Sequence, residues 1–312
     1  LTIIILFFIF GFYMGFSYRR FPFYFKKDTF SIGLYLGDSP FSLSEKNSIN
    51  NPIISNNDID SFPCRFVADP FLINQNNIWY IFYEAMNDKS NLGNICFSYS
   101  DNLKDWNYGG IAISEEFHLS YPYLFKSNGK LYMVPETARN FEVRLYECID
   151  FPHKWIYVKT LLEGRYTDPS IINENGIWFI YLTETGSNIL RLFSASNITD
   201  KWIEHPNSPI IINDKTSARS AGKIIKYNDK LYRFSQDCNR VYGERVNAYQ
   251  IIEINQKRYM EKEYNANPIL KPSGIGWNSH RMHHIHAIEL KDNQWIAAVD
   301  GLKRQIGLFF KK

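Results

Sequence analysis

The chain has 312 residues, of which 45% are hydrophobic and 21% are charged. This composition supplies enough apolar side chains for a packed core, and it excludes wholesale disorder. The 35 Lys and Arg residues nearly cancel the 32 Asp and Glu residues, so a net charge of +3 gives no reason to expect a nucleic-acid partner.

The chain begins with an uncharged apolar run over residues 1–18, and Arg19 and Arg20 follow it. About 18 apolar residues is near the lower limit for a helix that spans a membrane. We therefore predict a hydrophobic segment over residues 1–20 that acts as a retained membrane anchor. The protein would then be membrane-associated, with the side of the membrane left undetermined. The alternatives are a buried strand and the end of another domain.

A pattern of strand, polar turn and strand recurs five times along the rest of the chain. Its copies are residues 68–84, 120–136, 167–184, 220–237 and 284–300. In most copies two further strand patterns follow, and four strands in about 50 residues is the size of a propeller blade. The sequence thus predicts an all-β, five-bladed β-propeller over residues 28–312. Two β-sandwiches are the alternative.

Two strand patterns lie outside the five copies. They are FSIGLYL, at residues 30–36, and QIGLFF, at residues 305–310. We expect both segments to share the last blade. Strands from both ends of the chain would then close the ring and remove its open edges.

The repeat assigns polar residues to equivalent positions in different blades. Asp69, Tyr121 and Asp168 stand at the same position of the first strand in three copies. The first strand of a propeller blade faces the central channel, so we expect these side chains to meet at one channel entrance. Carboxylates brought together in a cleft shift each other's pKa, as acid–base chemistry on glycosides requires. The alternative is that Asp-Pro begins a strand without doing chemistry.

The second strands of the five copies end in acidic residues. These are Glu84, Glu136, Glu184, Asp237 and Asp300. For Glu84 and Asp300 we expect a structural role, such as pairing with a nearby arginine.

Further polar residues are denser than folding requires, and we predict that they bind a substrate. They are His118, Tyr121, Arg219, Gln236, Asp237, Tyr242, Arg281, His283 and His284. Arg219 and Arg281 could hold a carboxylate or phosphate, with a buried pairing to Asp237 as the alternative. His284 and His286 could supply two metal ligands from one strand face, but hydrogen bonds to hydroxyls are favoured.

No cofactor or metal site is predicted, although a channel ion such as calcium stays open. The four cysteines form no C-x-x-C pair, so neither a zinc site nor thioredoxin-like chemistry is indicated.

The ordered motifs of the chain resemble those of a known family. They are FSIGLYLGDSP, FVADPF, FHLSYPYLF, YMVPET, RLYE, TDPS, ARSAGK, SQDCNRVYG and AAVDG. From about residue 30 to residue 301 the chain resembles the amino-terminal domain of glucosamine inositolphosphorylceramide transferase and its bacterial relatives. That domain is similar to the five-bladed propellers of glycoside hydrolase family 43, whose members are inverting.

The resemblance implies roles for four carboxyl groups. Asp69 matches the general base of family 43, and Asp168 matches the second Asp, which tunes and orients. Glu136 and Glu184 are the candidates for the acid. The fourth blade begins Ser-Ala-Gly at residues 220–222, with no carboxylate at the inner position.

We therefore expect a carbohydrate-active propeller that acts on or binds a glycan or glycolipid head group in envelope polysaccharide or glycolipid metabolism. If it is an enzyme, its chemistry would be glycosidase-like, with inversion and a carboxylate acid and base, or it would be part of a glycosyltransferase system. No second domain like the glycosyltransferase domain of the plant proteins is visible in this sequence, so the resemblance does not carry their transferase chemistry over. The alternative is a non-catalytic sugar-recognition module that serves a glycosyltransferase partner. A protein-interaction propeller fits the polar rim less well.

Overall fold

The computed structural model describes residues 2–17 and 24–308. Over this range the chain forms one helix, α1 (Thr2–Ser17), and five antiparallel sheets of four or five strands each. Successive copies of the sequence repeat form successive sheets around a central channel. The fold is the predicted five-bladed β-propeller.

The chain enters the ring with two strands of the last blade, β1 (Tyr24–Gly37) and β2 (Leu43–Ser44). The first blade follows with β3 (Cys64–Gln75), β4 (Ile78–Asn87), β5 (Leu92–Ser100) and β6 (Asn107–Ile113). The second blade has β7 (Ser120–Ser127), β8 (Lys130–Glu136), β9 (Glu142–Asp150) and β10 (Lys154–Glu163).

The third blade has β11 (Tyr166–Glu174), β12 (Ile177–Glu184), β13 (Ile189–Ala195), β14 (Ile203–Glu204) and β15 (Ile211–Ile212). The fourth blade has β16 (Arg219–Ser220), β17 (Ile225–Tyr227), β18 (Lys230–Asp237), β19 (Arg245–Ile254) and β20 (Tyr259–Glu263). The last blade is completed by β21 (Ile285–Glu289) and β22 (Trp295–Leu308). Short 3-10 helices lie in the connections at Asn56–Asp58, Ala138–Asn140, Gly276–Asn278 and Lys291–Asn293.

The last blade is built from both ends of the chain, in the order β2-β1-β22-β21. This confirms the predicted closure by strands from both ends of the chain; residues 309 and 310 of the predicted closing segment lie outside the described residues. Phe30 lies opposite Leu302, whereas Gln305 lies opposite Lys27. The register follows from burial: the alternate β1 residues Ile32 and Leu34 must face the core, and a shift by one residue would expose them.

Apolar side chains fill the spaces between neighbouring blades. Ile32 and Leu34 pack with Tyr83 of the first blade, and Tyr35 on the opposite face of β1 packs with Phe234 of the fourth. Burial of each large apolar side chain contributes about 1.5–3 kcal/mol. β1 therefore joins the last blade to both of its neighbours and holds the ring closed.

The amino-terminal segment, which we predicted to span a membrane, forms a single helix. α1 has 16 residues. Across residues 2–17 and 24–308, none of the helices combines the length and the apolar character that crossing a membrane requires. The predicted membrane-spanning anchor is therefore not confirmed. Leu1 and residues 18–20 of that prediction, with Arg19 and Arg20, lie outside the described residues.

Candidate functional site

Three inner strands carry the same irregularity at one end of the channel. Asp69, Tyr121 and Asp168 have φ angles of 54°, 48° and 50°, and the pairing with the next strand shifts at each of them. A left-handed backbone costs a non-glycine residue about 1–2 kcal/mol, so it persists only where surrounding contacts fix it. The three residues thus occupy equivalent bulges, as the repeat predicts, and the bulges turn their side chains toward the channel.

Asp300 fixes the first of these bulges from the last blade. Its Oδ2 accepts a hydrogen bond from the Asp69 backbone N–H at 3.2 Å. Its Oδ1 accepts from the backbone N–H groups of His283 and His284, at 3.0 Å and 3.1 Å. The ring Nδ1 of His283 lies 2.7 Å from Oδ2, and Asp300 has no exposed surface. Asp300 therefore holds Asp69 and the two histidines in one arrangement.

Asp168 forms a second hydrogen-bonded centre beside the first. Its Oδ2 accepts from Arg219 Nε at 2.5 Å and from Gln236 Nε2 at 3.0 Å. Its backbone N–H donates to Glu136 Oε2 at 3.3 Å, and Arg219 Nη2 lies 4.0 Å from the same oxygen. The alternative of a pairing between Arg219 and Asp237 is not found: the Arg219 guanidinium pairs with Asp168, and Asp237 pairs with Arg245 at 3.2 Å.

Burial and mutual repulsion raise the pKa of two carboxyl groups of this cluster, Glu136 and Asp69. Burial raises the pKa of Glu136 to about 8, with the Asp168 carboxylate as the next cause. Burial likewise raises the pKa of Asp69 to about 7, and Asp168 and Asp300 add to the shift while His283 opposes it. Near neutral pH, Glu136 can therefore donate a proton, and Asp69 is divided between its two forms.

Two members of the cluster are paired by charge. Burial alone would lower the pKa of His283, but the Asp300 carboxylate beside it raises that pKa overall. Burial alone would raise the pKa of Asp300, and the same pairing lowers it. His283 and Asp300 thus form an ion pair that leaves Asp69 as the carboxyl of this centre free to exchange a proton.

The accessible surface of the site comes from the fourth blade. Tyr242 is 42% exposed, and the guanidinium of Arg219 lies over its ring at 4.9 Å from the centroid. Both residues line a cavity of about 200 Å³, together with Glu184 and Cys238. The side chains of Glu136 and Asp69 are 12% and 8% exposed. Neither lines this cavity, and Arg219 connects it to the cluster through its contacts with Asp168 and Glu136.

Of the two predicted acids, the cluster contains Glu136. Glu184 is held by an ion pair with Arg191, whose other nitrogen contacts Glu204 at 2.5 Å. It lies at the wall of the cavity and is not among the carboxyl groups that shift the pKa of Asp69 or Glu136.

Several predicted substrate-binding residues are buried instead of facing a ligand. Tyr121 and His284 have no exposed surface. The Tyr121 hydroxyl donates to Gly222 O at 3.0 Å and accepts from Gly222 N–H at 2.7 Å, which links the second blade to the fourth. Burial lowers the pKa of His284 to about 3, so its ring is neutral. Neither residue presents exposed surface to a ligand.

The remaining predicted residues lie around the cluster. His118 Nε2 is 3.5 Å from Glu84 Oε1, and burial lowers the His118 pKa to about 4. Gln236 is buried and orients Asp168. Arg281 pairs through its backbone with Leu302. These contacts favour a role in holding the carboxyl cluster in place over direct contact with a ligand.

Two acidic residues that we expected to be structural belong to the cluster. Asp300 organises Asp69, and the buried Glu84 has its pKa raised well above the ordinary value by burial and then by Asp69. In the sequence, Glu84 and Asp300 each end the second strand of a repeat copy. Glu184 ends a second strand in the same way but lies outside the cluster, so this position alone does not identify a member of the site.

Among the described residues, two carboxylates and one imidazole could share a metal ion. One donor atom each from Asp69, His283 and Asp300 lies within 4.8 Å of the others, and a divalent cation can use such a donor set. A carboxylate offers about four lone-pair positions, however, and those of Asp300 already face three backbone N–H groups and the His283 ring. Asp300 fits the role of a hydrogen-bonded anchor better than that of a metal ligand.

The raised pKa of Glu136 gives a pH-dependent stability. The folded protein keeps this proton between the unfolded value, near 4.5, and about 8, so wild-type stability falls as pH rises through that window. Glu136→Gln cannot ionise, so it should gain stability relative to wild type between pH 5 and pH 8, on the order of 3 kcal/mol. Urea unfolding at several pH values measures this. The exposed control Glu163→Gln should give a constant difference, and a constant difference for Glu136→Gln would contradict the assignment.

Solved structures with the same arrangement are glycoside hydrolases. A thermostable family-43 glycoside hydrolase superposes with a TM-score of 0.56, at 16% identity, over 85% of this chain and 96% of that one. The catalytic domain of a GH62 alpha-L-arabinofuranosidase from Coprinopsis cinerea gives a TM-score of 0.58, at 10% identity, over 77% and 92%. The fold is therefore of the five-bladed class that these hydrolases have.

The sequence defines the family more narrowly. The family model described as Glucosamine inositolphosphorylceramide transferase 1, N-terminal, matches residues 26–302, and the chain belongs to this family. Glucosamine inositolphosphorylceramide transferase 1 of Oryza sativa subsp. japonica is 32% identical over 296 residues, and the protein of the same name from Arabidopsis thaliana is 32% identical over 308. These matches cover 88% and 91% of this chain but 40% of each relative, so the chain spans about two fifths of their length.

Proposed function

We propose that the channel entrance binds the sugar head group of a glycan or glycolipid and acts on its glycosidic bond by acid–base chemistry. The observation that carries this proposal is a pair of buried carboxyl groups, from two neighbouring blades, that interact at one channel entrance. The pKa of Glu136 is raised to about 8, so it can donate a proton at neutral pH, and Asp69, with a pKa raised to about 7, can accept one. Glycosidases use a carboxylic acid and a carboxylate in these two roles.

In the proposed reaction, Asp69 takes a proton from a water molecule as the water oxygen attacks the anomeric carbon. The bond from that carbon to the leaving oxygen breaks, and the leaving oxygen takes the proton of Glu136. Asp300 holds the backbone of Asp69, and Arg219 with Gln236 holds Asp168 beside Glu136. These contacts fix both carboxyl groups before a substrate arrives, which lowers the reorganisation required during the reaction.

The sugar would be held by the accessible residues of the fourth blade. The exposed ring of Tyr242 offers an apolar face on which a pyranose can stack, and Arg219 offers donors for hydroxyl groups. The names of the plant relatives join glucosamine with inositolphosphorylceramide, which supports a glycolipid head group or a related glycan as the ligand class.

A second candidate function is sugar recognition without turnover, in support of a glycosyltransferase. Two observations favour it. The inner position of the fourth blade holds Ala221, which is buried and carries no carboxyl group. The relatives named as transferases are also much longer than this chain, so their transfer chemistry need not belong to the part that it matches.

One experiment distinguishes hydrolysis from sugar recognition without turnover. The full chain is applied to an array of glycans and glycolipid head groups, and release of free sugar from each bound ligand is measured in parallel. Binding with release supports the hydrolytic function, and binding without release supports the recognition module. An array with no bound ligand would contradict both.

Tyr242→Ala should weaken glycan binding by about tenfold, because aromatic contacts of this kind contribute about 0.5–1.5 kcal/mol beyond the buried area. Calorimetric titration with the glycan selected on the array measures the change. Tyr99, which is exposed on β5 of the first blade, gives the matched control Tyr99→Ala with unchanged affinity. Equal affinities for the two variants would remove Tyr242 from the site.

A further inference from the structure

A larger cavity, of about 460 Å³, lies at the other end of the inner strands. Its wall includes residues 72–74 of β3, which follow Asp69 by three to five residues, and residues 124–126 of β7, which follow Tyr121 by the same number. At about 3.3 Å per strand residue, the cavity is roughly 10–16 Å along the channel from the carboxyl cluster. Phe71 and its ring contacts with His284 and Tyr121 fill the channel between them. The cavity is therefore separate from the candidate site.

The wall of this cavity is mostly apolar. It includes Leu72, Leu124, Ile224, Ile288 and Trp295, contributed by four of the five blades. Cavities that bind small organic molecules are typically about 300–1,000 Å³ with walls of this kind, so the size and the lining fit a small organic ligand.

Positive charge is concentrated at the same cavity. Three lysines line it, Lys126, Lys223 and Lys226, against one carboxylate, Glu289. Lys226 pairs with Asp229 at 3.7 Å, whereas Lys223 makes no ion pair or side-chain hydrogen bond with any residue in the ranges 2–17 and 24–308. The cavity thus contains a half-buried lysine side chain with no carboxylate in ion-pair contact.

A charged ammonium group without a partner in an apolar wall is energetically unfavourable, and the pKa of Lys223 is shifted toward its neutral form. Burial first, and the nearby ammonium of Lys126 second, lower the pKa of Lys223 to about 8. The buried His286, whose Nδ1 accepts from the Leu72 backbone N–H at 2.8 Å, offers no negative charge. An anion in the cavity would supply the missing partner for Lys223 and Lys126 together.

We propose that this cavity binds an organic anion. The charged group, a carboxylate or a phosphate, contacts Lys223 and Lys126, and an apolar body lies against Leu124, Ile288 and Trp295. The ligand class follows from the joint presence of two cations and an apolar wall. This site does not depend on the function proposed for the channel entrance.

The test is calorimetric titration of the full chain with octanoate, octyl phosphate, octanol and acetate. Octanoate or octyl phosphate should bind, and the stronger of the two identifies the charged group. Octanol lacks the charge and acetate lacks the apolar body, so each should bind at least tenfold more weakly. Octanol that binds as tightly as both anions would overturn the proposal, as would the absence of binding by both anions.

Variants locate the binding. Lys223→Met should weaken the anion by at least tenfold, Lys223→Arg should retain most of the affinity, and Lys230→Met, an exposed lysine outside the cavity, should change nothing. Tyr242→Ala should also leave the anion affinity unchanged, because Tyr242 belongs to the channel entrance. Unchanged affinity in a folded Lys223→Met variant would overturn the proposal. If Lys223→Met does not fold, Lys223→Arg becomes the test. A loss of anion affinity in Lys223→Arg as large as the difference in affinity between the anion and octanol would overturn the proposal.

Discussion

Asp69→Asn should lower the turnover of the selected glycan by about 10²–10⁴-fold, which is the usual contribution of a general base. Asn has the shape of Asp but cannot take a proton from water. Because Asp69 is held through its backbone N–H by Asp300, the substitution leaves that anchor in place, and glycan affinity should change by no more than a few-fold. Initial rates of sugar release and calorimetric affinities, measured on the same preparations, give both quantities.

The exposed Asp101 gives the control variant Asp101→Asn, which should keep wild-type turnover. Full turnover in Asp69→Asn would remove Asp69 as the base. If wild type binds glycans without releasing sugar, the recognition function stands, and the effect of Asp69→Asn should then be confined to affinity.

Arg219→Met should destabilise the fold by about 3 kcal/mol, because it removes the cation from a buried carboxylate. The Asp168 side chain is 2% exposed, and Arg219 is its charged partner at 2.5 Å. Gln236 would still donate a hydrogen bond to Asp168, but a neutral donor does not compensate the full negative charge of a carboxylate. The loss of Arg219 should also weaken glycan binding, since its guanidinium faces the cavity beside Tyr242.

Urea unfolding of Arg219→Met and of Arg65→Met separates a buried pair from an exposed one. Arg65 pairs with Asp88 at 2.7 Å, with side chains 40% and 57% exposed, so its removal should cost no more than about 1 kcal/mol. Equal losses in the two variants would mean that Asp168 does not depend on Arg219 for its charge.

The repeat predicted the fold because each copy has the same local requirements. Two hairpin strands with a polar turn can be recognised in the sequence, and their number determines the number of blades. The equivalence of Asp69, Tyr121 and Asp168 came from the same alignment, and the three left-handed bulges agree with it. The register of the closing strands could not be predicted in this way, because it depends on which face of β1 meets the first blade.

The partners of the site residues depend on contacts between blades, which the repeat does not encode. Asp300 ends its second strand as Glu184 does, yet one accepts three backbone N–H groups while the other pairs with Arg191. Arg219 was assigned to a ligand or to Asp237, and its actual partner comes from the preceding blade. Tyr121 shares its position with Asp69, but its larger side chain crosses the channel to Gly222 and is buried.

A crystal structure of the full chain with the glycan selected on the array would show directly whether Glu136 and Asp69 flank a glycosidic bond. We expect a sugar ring stacked on Tyr242, with its glycosidic oxygen at hydrogen-bonding distance from Glu136 and a water molecule next to Asp69. A sugar bound away from these three residues, with Glu136 and Asp69 untouched, would contradict this expectation.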